Sequence, residues 1–344
     1  MPPALSWLSL YYGFGSVLGR TKLRLNGVNK GRRLLENNTR RRQNRKAALI
    51  VLSLFGLCRT AAAQQVAITV DDLPSHGALP PLMSRADVAK SILKTLHEYH
   101  APKVYGFVNA KELEQHPEEM EVLKLWRAAG YPLGNHTFAH LSLNASSAEE
   151  FEQNIAADEA TLKMLMGRHN WQWFRYPYLW EGDTLEKRHA VRNYLHEHKY
   201  HIAQVTLDFE DYLWNGPYAR CMEKKDVASI EWLKTSYMAN AAEYIALDRA
   251  MANLVYGRDI RHVLLVHIGG FETVMLPRLL DFLKKQNFRF VTLAEAEKDA
   301  AYQSDPDVAL KDGGTLLDQM MESKQLNFPP HTEKPYEQLN AVCR

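Results

Sequence analysis

From Gln65 onward, short apolar runs alternate with amphipathic stretches, and this constrains the chain more than any other feature. The runs are Val66–Val70, Lys103–Val108, Tyr131–Gly134, Gln172–Phe174, His201–Leu207, His262–Val266 and Phe288–Val291. The stretches between them carry helical spacing. Arg85–Tyr99 places Val88, Ile92, Leu93 and Leu96 on one face. Glu118–Ala129 stops at Gly130, and Ser147–Met166 opens on a capping box of Ser147 with Glu150. Thr184–Lys199, Asp226–Met251 and Thr273–Gln286 complete the set, the last expected to start at Pro277, since proline suits a first helical turn. Repeated strand–helix alternation means parallel strands with crossover helices, in a doubly wound sheet or a βα barrel. No glycine-rich phosphate loop follows the first run, which argues against nucleotide binding.

The chemically capable residues sit at the ends of these runs. Asp71 and Asp72 end the first, His136 and His140 follow the third, and Arg175 follows the fourth. Asp208 and Asp211 follow the fifth, and His267 ends the sixth. In a parallel βα fold all strand C-termini share one face, and that face carries the site. Each residue alone has an ordinary structural explanation: a turn, a helix cap, a core histidine, a surface ion pair. Their convergence on one rim does not. His136 and His140 lie four apart, a usual pairing for a metal, but Thr137 stands where the helical zinc motif has a general-base Glu. A third ligand and a base must come from elsewhere, and Asp71–Asp72 can supply both, because successive residues of a strand point apart. Two His and one carboxylate leave positions open, as a catalytic metal site requires. That ligand set suits Zn, and also Co, Ni or Fe.

Charge and termini bound the setting. The formal net charge of +2 hides a split: residues 1–63 hold twelve Lys/Arg against Glu36, so the remainder carries −9. An acidic body argues against nucleic acid as a partner. The basic stretch 40–46, the apolar run Ala47–Cys58 and the Ala61–Ala63 site have the order of a secretory signal, with cleavage expected after Ala63. Twelve apolar residues are too few for a bilayer, which needs about 20. The expected location is therefore periplasmic or extracellular, with no stable membrane span. Cys221 and Cys343 then sit in an oxidising compartment, where they can pair, although nothing in their spacing requires it. The expected organisation is an N-terminal extension and signal over 1–63, a catalytic domain over 64–300, and a C-terminal extension over 301–344. That extension, with one helix at Thr315–Ser323, is expected to wrap the surface.

Five segments in order resemble the motifs of the polysaccharide deacetylases, carbohydrate esterase family four. They are Thr69-Val70-Asp71-Asp72, His136-Thr137-Phe138-Ala139-His140, Arg175-Tyr176-Pro177-Tyr178, Asp208-Phe209-Glu210-Asp211-Tyr212 and Leu264-Leu265-Val266-His267. The resemblance implies a distorted (β/α)₇ barrel of the TIM-like type that removes acetyl groups from acetylated sugars, with its site at the strand C-terminal face. It implies that Asp72, His136 and His140 hold a divalent metal, that Asp71 is the general base and His267 the general acid. It further implies that Arg175 orients Asp71, Asp211 tunes His267, and the Tyr178 N–H helps form an oxyanion hole. The chain departs from the pattern at Val70 and Tyr212, and more sharply at Leu73-Pro74-Ser75-His76-Gly77. His76, Tyr178, Tyr212 and Trp214 are the expected substrate contacts, with an acetylated glycan as partner. A hydrolase of another amide or ester, or a non-catalytic glycan binder, are the competing readings.

Overall fold

The structure is a computed structural model that describes residues 63–344; the signal reading of residues 1–62 lies outside the described residues. Strand β1 (Gln64–Leu73) is the centre of the sheet. It is buried on both faces from Val66 to Asp71, as parallel strands covered by helices are. It pairs in parallel with β2 (Tyr105–Val108), β6 (His262–His267) and β7 (Phe288–Val291). Beyond β2 lie β3 (Leu133–Asn135), β4 (Trp173–Phe174) and β5 (His201–Ile202), again parallel. The strand path is β5-β4-β3-β2-β1-β6.

The path then closes. The chain after β5 bridges β6 at Leu207 and Leu264, where Leu207 N–H donates to Val263 and Leu265 N–H donates to Leu207. The expected barrel is therefore present, with one refinement. The ring runs through six strands, and β7 lies off it, paired with β1 only over Gln64–Ala67.

Helix α1 (Arg85–Glu98) buries the predicted face, Val88, Ile92, Leu93 and Leu96, and is capped by Ser84 with Asp87. Helices α2 (Glu112–Gln115) and α3 (Met120–Ala128) follow β2, and α4 (Ala148–Met166) has the Ser147–Glu150 capping box read from the sequence. Helix α5 (Leu185–Glu197) follows β4. The long helical stretch divides into α6 (Asn215–Lys224) and α7 (Val227–Tyr256), broken at left-handed Lys225 and restarted by the Asp226 cap. Helix α8 (Glu272–Lys285) corrects the expectation for Pro277, which lies inside the helix rather than at its start. Proline removes the hydrogen bond that the carbonyl four residues earlier would accept. That carbonyl, on Thr273, accepts the Ser91 hydroxyl instead.

Helix α9 (Leu293–Ala296) follows β7. Helix α10 (Leu316–Ser323) sits where the sequence put it, capped by Thr315 with Asp318. The surrounding segment does not merely wrap the surface, however. Leu317 and Met321 of α10 pack with Leu247, Met251 and Ala252 of α7, so apolar burial pulls the tail into the body. Residues 63–344 form one compact unit. The tail ends in α11 (Tyr336–Ala341), and Cys343 beyond it is bonded to Cys221 of α6 across a sequence separation of 122.

Closing so long a loop restricts the unfolded chain. Cys343→Ser is expected to lower the free energy of unfolding by about 2–4 kcal/mol, read by urea titration under non-reducing conditions. Unchanged stability would show that the bridge does not form.

Candidate active site

The strand C-termini bring the predicted residues together. Asp71 comes from the end of β1 and is paired there by Arg175, which follows β4; both are almost fully buried. The Arg175 Nη1 lies 3.3 and 3.2 Å from the two Asp71 oxygens. Its Nε donates to the Ala203 carbonyl at 2.6 Å and its Nη2 to Thr69 Oγ1 at 3.1 Å. The guanidinium lies over the Phe107 ring, 4.7 Å from its centroid. A buried charge needs this much satisfaction, since desolvation otherwise costs several kcal/mol.

Asp72, His136 and His140 form a three-ligand cluster whose donor atoms all lie within 4.8 Å of one another. Asp72 Oδ1 is 3.4 Å from His136 Nε2 and 3.3 Å from His140 Nε2. That oxygen is buried and has no hydrogen-bond partner. An orphaned carboxylate oxygen between two imidazole nitrogens has the donor chemistry that a divalent cation of the Zn type accepts. His136 Nδ1 is 2.8 Å from the Arg175 carbonyl, to which only a protonated Nδ1 can donate, so Nε2 carries the free lone pair.

The protonation states agree with this. Burial raises the Asp72 carboxyl, but the close approach of His136, the hydrogen bond from His76 and the nearby His267 and His140 outweigh it, holding it well below the usual range. Burial, with the neighbouring His136, pushes His140 down to about 4. The cluster thus presents an ionised carboxylate and a neutral His140. Its backbone is unusual too: Asp72, Thr137, His140 and Tyr178 all have positive φ without being glycine. Such strain persists where surrounding contacts enforce it, and it tends to concentrate at functional sites.

His267, at the end of β6, donates from Nδ1 to Asp211 Oδ1 at 2.7 Å, and its backbone N–H donates to Asp211 Oδ2 at 2.8 Å. Burial alone would lower its pKa. The charge and hydrogen bond of Asp211, with Asp72 and Asp71 adding, push it up to about 10. Asp208, the other acid of that motif, is pushed up to about 6 by burial and accepts the Glu210 N–H.

The expected substrate contacts divide. Tyr178 and Tyr212 stand at the mouth, half-exposed, with rings 4.4 Å from His140 and 5.1 Å from His267 respectively. Trp214 is a correction: it is fully buried, facing Tyr237, with its indole N–H on Ser236 Oγ. Two residues beyond Tyr212, its ring turns into the core instead of the groove. His76 lines the cavity, but its Nδ1 is 2.6 Å from Asp72 Oδ2, so its first partner is Asp72 of that cluster. The carbonyls of His76 and its loop neighbours are held by Arg85 and Asn215. His189, His196, His198 and His201, a conspicuous tract in the sequence, take no part; His189 pairs with exposed Asp307.

These residues face a cavity of about 670 Å³. Its other walls were not legible in the sequence: Asp248 and Leu247 of α7, and Asp318, Phe328, His331 and Lys334 of the C-terminal segment. None of these carries a motif or sits at a strand end.

Residues 59–219 match the family described as polysaccharide deacetylase. The chain is 24% identical over 193 residues to a chitin deacetylase of Arthroderma benhamiae, covering 56% of this chain and 44% of that protein. The chain thus spans less than half the length of that relative. Among solved structures, the chitin deacetylase of Colletotrichum lindemuthianum is 22% identical, with 69% of this chain and 88% of that chain covered and a TM-score of 0.47. BA3943, a CE4 family pseudoenzyme from Bacillus anthracis, is 15% identical, with coverages of 68% and 65% and a TM-score of 0.46.

In metal-free protein the His267 imidazole is expected to titrate well above the usual histidine range, and Asp211→Asn should bring its pKa down. Ring-proton NMR titration checks this. An ordinary His267 pKa that Asp211→Asn leaves unmoved would contradict the pairing.

Proposed function

We propose that this protein is a divalent-metal-dependent hydrolase that removes acetyl groups from acetylated amino sugars. The observation that carries the reading is the orphaned Asp72 oxygen between two imidazoles, beside a buried acid on one side and a cationic imidazole on the other. The family match over residues 59–219 supports the acetylated-sugar class. Asp72, His136 and His140 would hold the ion. When bound, a divalent ion supplies Lewis-acid polarisation of a carbonyl and lowers the pKa of water, to about 7 in favourable cases.

The remaining chemistry belongs to the chain. Asp71 lies 3.7 Å from His136 Nε2, adjacent to the cluster, and is oriented by Arg175. It takes the proton of the attacking water as general base. The Tyr178 backbone N–H donates to the oxyanion that develops on the acetyl carbonyl. His267, kept protonated by Asp211, gives its proton to the leaving nitrogen, because an amine anion cannot depart from an amide. His76 holds the outer oxygen of Asp72 so that the inner one faces the two histidines, a role that replaces the substrate contact expected from its loop position. Tyr178 and Tyr212 present ring faces at the mouth, as sugar binding favours.

The catalytic body spans the described residues, with the tail included, and the preceding 1–63 is an export signal in this reading. The Cys221–Cys343 bond fits an oxidising compartment. No helix among the described residues is long and apolar enough to cross a membrane.

Acetate release from N-acetylated oligosaccharides is the direct test. Asp71→Asn and His267→Ala should each lose about 10²–10⁴-fold in kcat while retaining metal. Full activity in either variant would sink the assignment. Separately, His76→Ala should weaken metal affinity about 10–100-fold, measured by competition with a chromogenic chelator, and His76→Asn should restore part of it. Unaltered affinity would leave His76 as a loop residue only.

A further inference from the structure

The C-terminal segment encloses one side of the site. It leaves the body at Lys311, whose carbonyl accepts the Asn144 amide from the loop after β3. Gly313 then packs against Trp180: a Cβ there would stand 2.0 Å from the indole Cδ1. The Leu316 N–H donates to Val205 after β5, and Gln319 reaches Glu181 after β4. The chain returns across α7, where Lys334 lies 3.7 Å from the centre of the Tyr244 ring, and ends on Glu210, bound by both Lys334 and Tyr336. The disulfide fixes the far end of this strap to α6. The anchors run from the loop after β3, through the segments after β4 and β5, to α7 and α6. The strap therefore forms a continuous wall there, and Asp318, Phe328, His331 and Lys334 line the cavity from it.

A glycan bound through its interior must leave the site in two directions. A wall across one sector, tied at both ends, takes away one exit. The cavity volume, about 670 Å³, is that of a pocket enclosing one small ligand, where about 300–1,000 Å³ is usual. Asp208, Asp248 and Asp318 line the cavity together with Trp180 and Tyr244, a mixture of carboxyls and aromatic rings that suits a hydroxyl-rich ring with polar edges and apolar faces.

We infer that the C-terminal strap makes this site a dead-ended pocket that takes the terminal unit of a short acetylated amino-sugar chain and excludes the interior of a polymer. This rests on the deacetylase reading for the chemistry, but the shape argument has its own readout. Phe328 and His331 are exposed on the strap and touch the pocket, so they set how well the terminal unit is held, apart from the reacting groups.

The test uses the full mature chain, metal-loaded, with β-linked N-acetylglucosamine oligomers of two to six units and a soluble acetylated polymer of the same sugar. Acetate is measured, products are mapped by mass spectrometry, and binding to the Asp71→Asn variant is followed by calorimetry. The expected result is loss of acetyl from one end unit only, with kcat/KM per acetyl group at least about ten-fold lower on the polymer. Phe328→Ala with His331→Ala should raise KM for the oligomers about ten-fold with kcat within about two-fold. Interior deacetylation of the polymer at the oligomer rate would overturn the inference, as would a double variant with unchanged KM. If no glycan is turned over but short oligomers bind and the polymer does not, the strap inference stands and the deacetylase reading falls. If short oligomers do not bind either, the strap inference falls as well.

Discussion

One buried guanidinium ties the barrel to its chemistry. Arg175 reaches Thr69 and Asp71 of β1 and the Ala203 carbonyl after β5, while its own carbonyl accepts the ring of His136. Three strand ends and two functional side chains are thus fixed by one residue that solvent scarcely reaches. An exposed ion pair in that place would contribute little, because solvent screens it. Buried and fully bonded, Arg175 cannot move without leaving Asp71 as an uncompensated buried charge, a change that costs about 3–5 kcal/mol. The same contacts that hold the ring together therefore set the distance between Asp71 and the cluster of Asp72, His136 and His140.

The electrostatics follow from that packing. Two aspartates leave β1 side by side and meet opposite surroundings: Asp71 faces a permanent cation, and Asp72 faces imidazoles. On the far side, Asp211 holds His267 in its charged form. In the proposed reading the ion-binding carboxylate, the general base and the protonated His267 depend on three aspartates, Asp72, Asp71 and Asp211, with three different partners. Positive φ at Asp72, Thr137, His140 and Tyr178 marks the backbone cost of that convergence.

Much of this was legible in the sequence, for a physical reason. Parallel strands send their C-termini to one face, so ionisable residues after Val70, Gly134, Phe174, Leu207 and Val266 had to meet. The capping boxes at Ser147 and Thr315 were legible because their chemistry is local. What escaped was tertiary. Trp214 reads as a rim aromatic, yet the turn after Asp211 rotates it into the core. Pro277 reads as a helix start, yet a neighbouring hydroxyl replaces the hydrogen bond it removes. The tail after Ala300 reads as loose because its Pro and Gly residues break the pattern, while its buried contacts are made with a helix some 70 residues earlier, by the packing of Leu317 and Met321 on Leu247 and Met251. His76 could be read only as a departure from a family pattern; its hydrogen bond to Asp72 depends on a loop that Arg85 and Asn215 shape from a distance.

In the proposed reading, activity resides in one ion held by Asp72, His136 and His140. The measurement that tests it most directly is a titration of metal-stripped protein with Zn²⁺, following acetate release from an acetylated amino-sugar oligomer alongside bound metal. Activity should rise in proportion to bound ion and level off at one equivalent per chain, with neither binding nor activity in Asp72→Ala. Full activity in the stripped protein, or one tightly bound ion that Asp72→Ala leaves in place, would contradict it.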